Sequence, residues 1–446
     1  MVERLVVIGC DAGGMTAATQ VRRLRPDLEI VALEKGTFTS YSACGIPYVV
    51  SGEVEELDDL VVRTPQEFRD NHRIDVRMRH EVMEIDLDRR RLEVRDHGHD
   101  RTIELGFDLL HIATGAHPIR PPIPGIDSDW VRGVQTLDDA AALLARIDGK
   151  RCRNVVVVGG GYIGLEMAEA FVQRGASVVL VEGSDQPMRT LDPDMGAKVA
   201  DAVRGHGIDL RLGSDVTCFD EGAVHTDAGT FPADLAVLGL GVAPSTKLAA
   251  DAGIELGSRQ AITVDPRQHT SAEGVWAAGD CADSFHLVSR RRVHVALGTV
   301  ANKQGRVAGI NIGGGYATFP GVVGTAITRV CDTEIARTGL TEAEASRAGF
   351  GFVVGMVDST TRAGYFPGTA ALTVKVLAER GTGRLLGGQI VGADRAGKRI
   401  DTLATAITAG MTAAEVVDLD LSYAPPVSPV WDPVQIAARR AADLLR

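Results

Sequence analysis

An apolar strand that runs straight into a glycine-rich turn and then a helix occurs twice in this chain, 150 residues apart. The first copy is Leu5 to Ile8, then Gly9-Cys10-Asp11-Ala12-Gly13-Gly14, then an alanine-rich stretch to Arg23. The second is Val155 to Val158, then Gly159-Gly160-Gly161-Tyr162-Ile163-Gly164. A buried parallel strand turning at glycine into a helix presents NH groups and the positive end of the helix dipole to a pyrophosphate. Each helix is followed by another strand that ends in an acid. Glu34, with Lys35 beside it, comes 20 residues after Gly14, and Glu182 comes 18 after Gly164. At that spacing a carboxylate binds an adenosine ribose. Asp11 stands where the first copy's pattern has its middle glycine, whereas the second copy is intact.

Two such units imply two dinucleotides, and the usual pair is a flavin that stays bound and a nicotinamide that visits. Two further segments suit a flavin. Ala113-Thr114-Gly115 closes the apolar strand Leu109 to Ile112, just before a proline-rich crossover from Pro118 to Pro124. The run Val275 to Gly279 is a strand ending in Asp280, placed to hydrogen-bond a ribityl chain. Glu182 favours the free 2′-hydroxyl of NADH, while Arg189, seven residues on, could accept the 2′-phosphate of NADPH. Glycine is abundant, 51 of 446 residues, which suits backbone that comes close to large cofactors.

Charge removes whole classes of function. Lys and Arg total 47 against 59 Asp and Glu, a net charge of −12, so general binding to nucleic acid or to an anionic membrane surface is not expected. A small polyanion remains admissible where a local basic patch receives it. No apolar run reaches the ~18 residues of a membrane span, and the first residues read as a strand, too short for a signal peptide. Cys10, Cys44, Cys152, Cys218, Cys281 and Cys331 include no CxxC pair, which excludes zinc ribbons and thioredoxin-type motifs; no metal is expected. So few cysteines in so long a chain point to the reducing cytoplasm.

With Ser40-Tyr41-Ser42-Ala43-Cys44-Gly45-Ile46-Pro47-Tyr48 and the tail Tyr423 to Trp431, the motifs stand in a known order. The chain resembles the single-cysteine branch of the pyridine nucleotide-disulfide oxidoreductases, which includes coenzyme A disulfide reductase, NADH oxidase and NADH peroxidase. The resemblance implies an α/β protein with two Rossmann-like domains and an α+β C-terminal dimerisation domain. The flavin domain would span about 1–117 and 243–322, the nicotinamide domain 118–242, and the dimerisation domain 323–446. It implies FAD, NADH or NADPH, a homodimer, and a small disulfide or persulfide of coenzyme A type as substrate. The alternative is an NADH oxidase or peroxidase that cycles Cys44 through sulfenic acid.

The same likeness assigns residues. Cys44 is the redox cysteine, and Tyr365 and Tyr423 approach it across the dimer interface to handle protons. Gln20, Arg23, Ser40, Asn302 and Trp431 match substrate-side positions, with Arg22, Arg25 and Arg63 as further cations for phosphates. Ala43 replaces an asparagine common before the cysteine. Ala12 replaces a histidine that assists peroxide cleavage in the oxidase and peroxidase relatives, which favours a disulfide.

The residues around Cys44 carry their own reading. Pro47 suits the first turn of a helix, and a cysteine at a helix N-terminus is expected to have a lowered pKa. There is no second cysteine within five residues, so Cys44 cannot form a redox disulfide of its own, and the partner sulfur or oxygen must come from a small molecule. No histidine lies beyond His294, so the C-terminal part cannot supply a His–Glu acid–base pair. His111 reads as a satisfied core histidine, His97-Gly98-His99 as a solvated turn, and Leu377 to Val391 as a hairpin.

Overall fold

The computed structural model describes residues 3–149 and 152–446. Its first sheet has five parallel strands in the order Val275–Ala277, Leu109–Ile112, Arg4–Ile8, Glu29–Glu34, Asp75–Met78. The strand before the first glycine turn is thus central, flanked by Leu109–Ile112 and Glu29–Glu34, and the sheet draws its edge strand Val275–Ala277 from much later in the chain. The second sheet repeats the plan with Asp209–Leu212, Ser177–Glu182, Asn154–Val158, Leu235–Leu238 and Val131–Gly133. Val155, Val156 and Val157 are wholly buried, as expected of a parallel strand covered on both faces. Where the chain passes from one sheet to the other and returns, Ala116–Pro118 pairs antiparallel with Val242–Pro244.

The C-terminal sheet is antiparallel, in the order Ala326–Val330, Thr333–Gly339, Leu385–Gly392, Ala371–Glu379, Phe352–Thr360. The expected hairpin is its centre: Val374, Val376 and Ile390 are fully buried there. Helix Pro433–Asp443 lies on the edge strand so closely that a Cβ at Gly355 would meet Ala437 O at 2.1 Å.

One helix pair sets up the site. Helix Gly298–Ile312 packs along helix Ala12–Leu24, and a Cβ at Gly305 would meet Gly13 O at 2.4 Å. Residues 302–306 are thereby brought beside the first glycine turn, some 290 positions away in sequence. The turn His97-Gly98-His99 is exposed, as expected, and is anchored by carboxylates, with His99 bonding Asp96 at 2.8 Å and His97 bonding Glu81 at 3.0 Å. One histidine reading needs correction. His111 is buried with only a long contact, 3.4 Å, to Gly13 O, and its Nδ1 has no partner; burial pulls its pKa down to about 4.

Candidate active site

Both glycine turns are built from the same parts. At the first, Gly9 has φ +98°, and a Cβ there would strike Ala113 O at 2.2 Å, so the turn lies directly on the Ala113-Thr114-Gly115 segment. A Cβ at Gly14 would meet Gly9 O at 1.9 Å, which ties the helix start to the strand end. Glu34 Oε2 accepts Cys10 N at 2.9 Å and Oε1 accepts Gly36 N at 2.8 Å. Of roughly four acceptor positions on a carboxylate, about two stay open for a ribose diol. The bare turn and the half-engaged acid fit a flavin dinucleotide.

The second turn has the same geometry with one difference. Its helix, Tyr162–Gln173, is capped by Gly161, which offers no side chain to the first-turn NH groups. Glu182 Oε2 accepts Gly160 N at 2.7 Å, while Oε1 accepts both Ser184 N at 2.9 Å and Ser184 Oγ at 2.6 Å. This acid is more fully engaged than Glu34.

Asp280 follows Gly279, whose NH donates to Gln304 Oε1 at 2.9 Å, and burial raises its pKa. Thr114 Oγ donates to Ser245 O at 2.6 Å, linking this strand end to the return crossover.

Cys44 sits in the 3-10 turn Ala43–Gly45 that opens helix Ile46–Ser51, with Pro47 in the first helical turn as expected. The segment before it is tied to the first glycine turn. Thr39 Oγ and Ser40 N both donate to Cys10 O, at 2.6 and 2.9 Å, and Tyr41 N donates to Asp11 Oδ1 at 3.2 Å. Asp11, in the usual place of a glycine, is therefore a tether for the cysteine loop.

The Cys44 thiol is exposed on the subunit surface. Contrary to the helix-terminus expectation, its pKa is raised: water is partly displaced around it, and Glu166, Asp280 and Asp11 add negative potential. The helix behind it is a turn and a half long, too short to oppose three carboxylates. Glu166, bonded to Thr328 of the C-terminal sheet, is itself raised by burial and by Glu169.

Beside Cys44's loop is a pocket of about 490 Å³. Gln20, Arg23, Ser40 and Asn302 all line it, with Ala12 at its wall. Arg63 lines it too, and so do Lys303 and Arg306, which sequence reasoning missed. Arg22 and Arg25 do not contribute. Arg22 donates to the carbonyls of His72, Pro26, Leu28 and Arg73, and Arg25 pairs with Glu3. Trp431 lies apart, exposed on the C-terminal domain beneath Arg439. Tyr365 and Tyr423 are 76% and 46% exposed and share a hydrogen bond, so the two phenols act as a pair on that surface. Among the described residues no helix is long and apolar enough to cross a membrane.

A model of the pyridine nucleotide-disulphide oxidoreductases matches residues 3–305, and one of their dimerisation domain matches residues 325–433. The chain is 40% identical over 448 residues to an NAD(P)H coenzyme A polysulfide/persulfide reductase of Pyrococcus horikoshii, covering 98% of each. It is also similar to the structure of an NAD-dependent persulfide reductase from A. fulgidus, with TM-score 0.95 and 37% identity over 99% of this chain and 83% of that one. An engineered water-forming NADPH oxidase bound to NADPH superposes with TM-score 0.94 and 28% identity over 99% of both chains. The chain belongs to the pyridine nucleotide-disulphide oxidoreductases and is an FAD- and NAD(P)H-dependent enzyme.

Proposed function

We propose that this enzyme reduces a small disulfide or persulfide of coenzyme A type through Cys44, working as a homodimer. The observation that carries the reading is a pocket lined by Arg23, Arg63, Lys303 and Arg306 that shares Ser40 with the loop leading to the exposed Cys44. A chain of net charge −12 concentrates four cations there, which suits the phosphates of coenzyme A.

The first glycine turn, Glu34, Thr114 and Asp280 would hold FAD, which supplies a two-electron relay between nicotinamide and sulfur. The second turn, with Tyr162, Ile163 and Glu182, would hold the nicotinamide nucleotide. The Cys44 thiolate attacks one sulfur of the substrate disulfide, expels the other as a thiolate and is left in a mixed disulfide. Two electrons from NAD(P)H then cleave that bond, releasing the second thiolate and restoring Cys44. Net, one NAD(P)H and one proton convert one disulfide to two thiols. Tyr365 and Tyr423, facing out from the C-terminal domain, are suited to hydrogen-bond a leaving thiolate of the partner subunit's site.

The test is NADH consumption without oxygen in the presence of coenzyme A disulfide, beside aerobic consumption in its absence. Rapid anaerobic turnover that disappears in Cys44→Ser supports the reading. Fast aerobic turnover to water, with negligible anaerobic reduction of any disulfide, would make the enzyme an oxidase instead.

A further inference from the structure

We infer that Gln304 is the positioning residue of Asp280, fixing the backbone from which that carboxylate serves the flavin, with His294 as a second support. The inference rests on the flavin reading of Asp280 and deepens it.

The Asp280 carboxylate accepts no hydrogen bond among the described residues, so its aim depends on the chain that carries it. Regular structure does not hold that chain. The strand Val275–Ala277 has ended, and Gly279 lies in the left-handed region at φ +84°. Two side chains hold it instead. The Gly279 NH donates to Gln304 Oε1 at 2.9 Å, and His294 Nε2 donates to Asp280 O at 2.7 Å. One bond thus lies on each side of the Asp280 Cα.

Gln304 is fully buried and uses its Oε1 and both Nε2 protons. Besides the bond from Gly279, Nε2 donates to Asp283 O at 3.1 Å and to Ser284 Oγ at 3.0 Å. Gly279 N can only donate and Asp283 O can only accept, so the amide has a single orientation. One side chain therefore closes the segment 279–284 around Asp280 from both ends. Its base is equally fixed. The next residue, Gly305, is so near the first glycine turn that a Cβ would meet Gly13 O at 2.4 Å. Lys303 and Arg306, on either side of this pair, face the pocket. A single helical turn serves the pocket, the glycine turn and the segment that carries Asp280.

The experiment is a double-mutant cycle on the FAD dissociation constant of the holoenzyme, read from the flavin fluorescence regained on dilution. Gln304→Met keeps the volume but none of the hydrogen bonds, and the constant should rise about tenfold. His294→Leu should raise it about fivefold. That position is half-buried, so this variant carries the test if Gln304→Met does not fold. Asp280→Ala should weaken FAD binding by itself. In that background each of the other substitutions should cost less than about twofold, because the group they position is gone. Equal losses with and without Asp280 would make both residues structural and overturn the inference while leaving the flavin reading intact. Unchanged FAD affinity in every variant of Gln304 and His294 that folds would do the same. Full FAD affinity in Asp280→Ala would overturn the flavin reading of Asp280, and the inference with it.

Discussion

The Lys375 ammonium lies 2.7 and 2.8 Å from the two carboxylate oxygens of Asp194, joining the first strand of the hairpin, Ala371–Glu379, to the start of helix Pro193–Gly205. Lys375 is 1% exposed, and Asp192 at 3.2 Å and Glu342 at 2.5 Å complete its surroundings. Asp192 also exchanges two hydrogen bonds with Gln389.

Lys375→Met should destabilise the protein by about 3–5 kcal/mol, because it leaves the buried Asp192 without its cation. Burial pulls the lysine's pKa down, but hydrogen bonds to Asp194 and Glu342 and the charge of Asp192 outweigh it, and the net shift is upward from 10.5. A raised lysine contributes its full stability below its unfolded pKa and loses it as pH rises through the folded one. The difference in melting temperature between native and variant protein should therefore be flat from pH 6 to 9. A difference that shrank within that range would show that the ammonium is not the source.

Asp11→Asn tests the tether on the cysteine loop. Burial, helped by Glu34 and Asp280, raises Asp11 from 3.8 to about 6 against the lowering effect of Tyr41 N. For an acid raised in the folded state, the ionised form costs stability above pH 6, and the cost is relieved as pH falls toward 4. The asparagine keeps an acceptor for Tyr41 N without the charge. Flavin-stripped Asp11→Asn should be more stable than native protein at pH 7.5 by about 1–3 kcal/mol, with the gain fading near pH 5. Thermal melts at the two pH values decide it.

Glu166→Gln removes the strongest of the three negative charges acting on Cys44. The thiol's pKa should fall, and alkylation by iodoacetamide at pH 7.5 should quicken, by about threefold, as the thiolate fraction rises. An unchanged alkylation profile against pH would mean that burial and the nearby Glu169 hold Glu166 neutral despite the hydrogen bond it accepts from Thr328.

Arg23→Ala and Lys303→Ala should each raise KM for coenzyme A disulfide about three- to tenfold with kcat little changed, since they remove binding felt equally before and during reaction. A small uncharged disulfide should be handled as before. Equal losses with both substrates would place these residues outside substrate recognition.

Tyr423→Phe should lower turnover without dissolving the dimer, because only the hydroxyl is removed. Partial desolvation and the bond to Tyr365 hold its phenol above the usual value, so it stays protonated through pH 9. Unchanged kcat from pH 6 to 9 would return it to packing.

The glycine turns were legible because backbone sterics leave few alternatives at Gly9 and Gly14, and the partner strands follow from apolar runs. What sequence could not disclose depends on distant segments meeting. Lys303 and Arg306 belong to a helix that reaches the pocket only by packing on Ala12–Leu24, so no local pattern reveals them. Arg22 and Arg23 are neighbours, yet a helix turns 100° per residue, so one wraps around loop carbonyls while the other faces the pocket. The upward shift of Cys44 comes from carboxylates at positions 11, 166 and 280, where only the local helix start was visible in sequence.

Four cations in one recess of a strongly acidic chain also sort anions by size. At ionic strengths near 0.15 M a charge is felt over about 8 Å. An anion small enough to enter the recess has guanidinium and ammonium groups as its nearest neighbours, and the remaining acids are screened from it. A long polyphosphate cannot bring more than one segment into that recess, and every other segment stays against the acidic exterior. Attraction is reserved for molecules that fit inside.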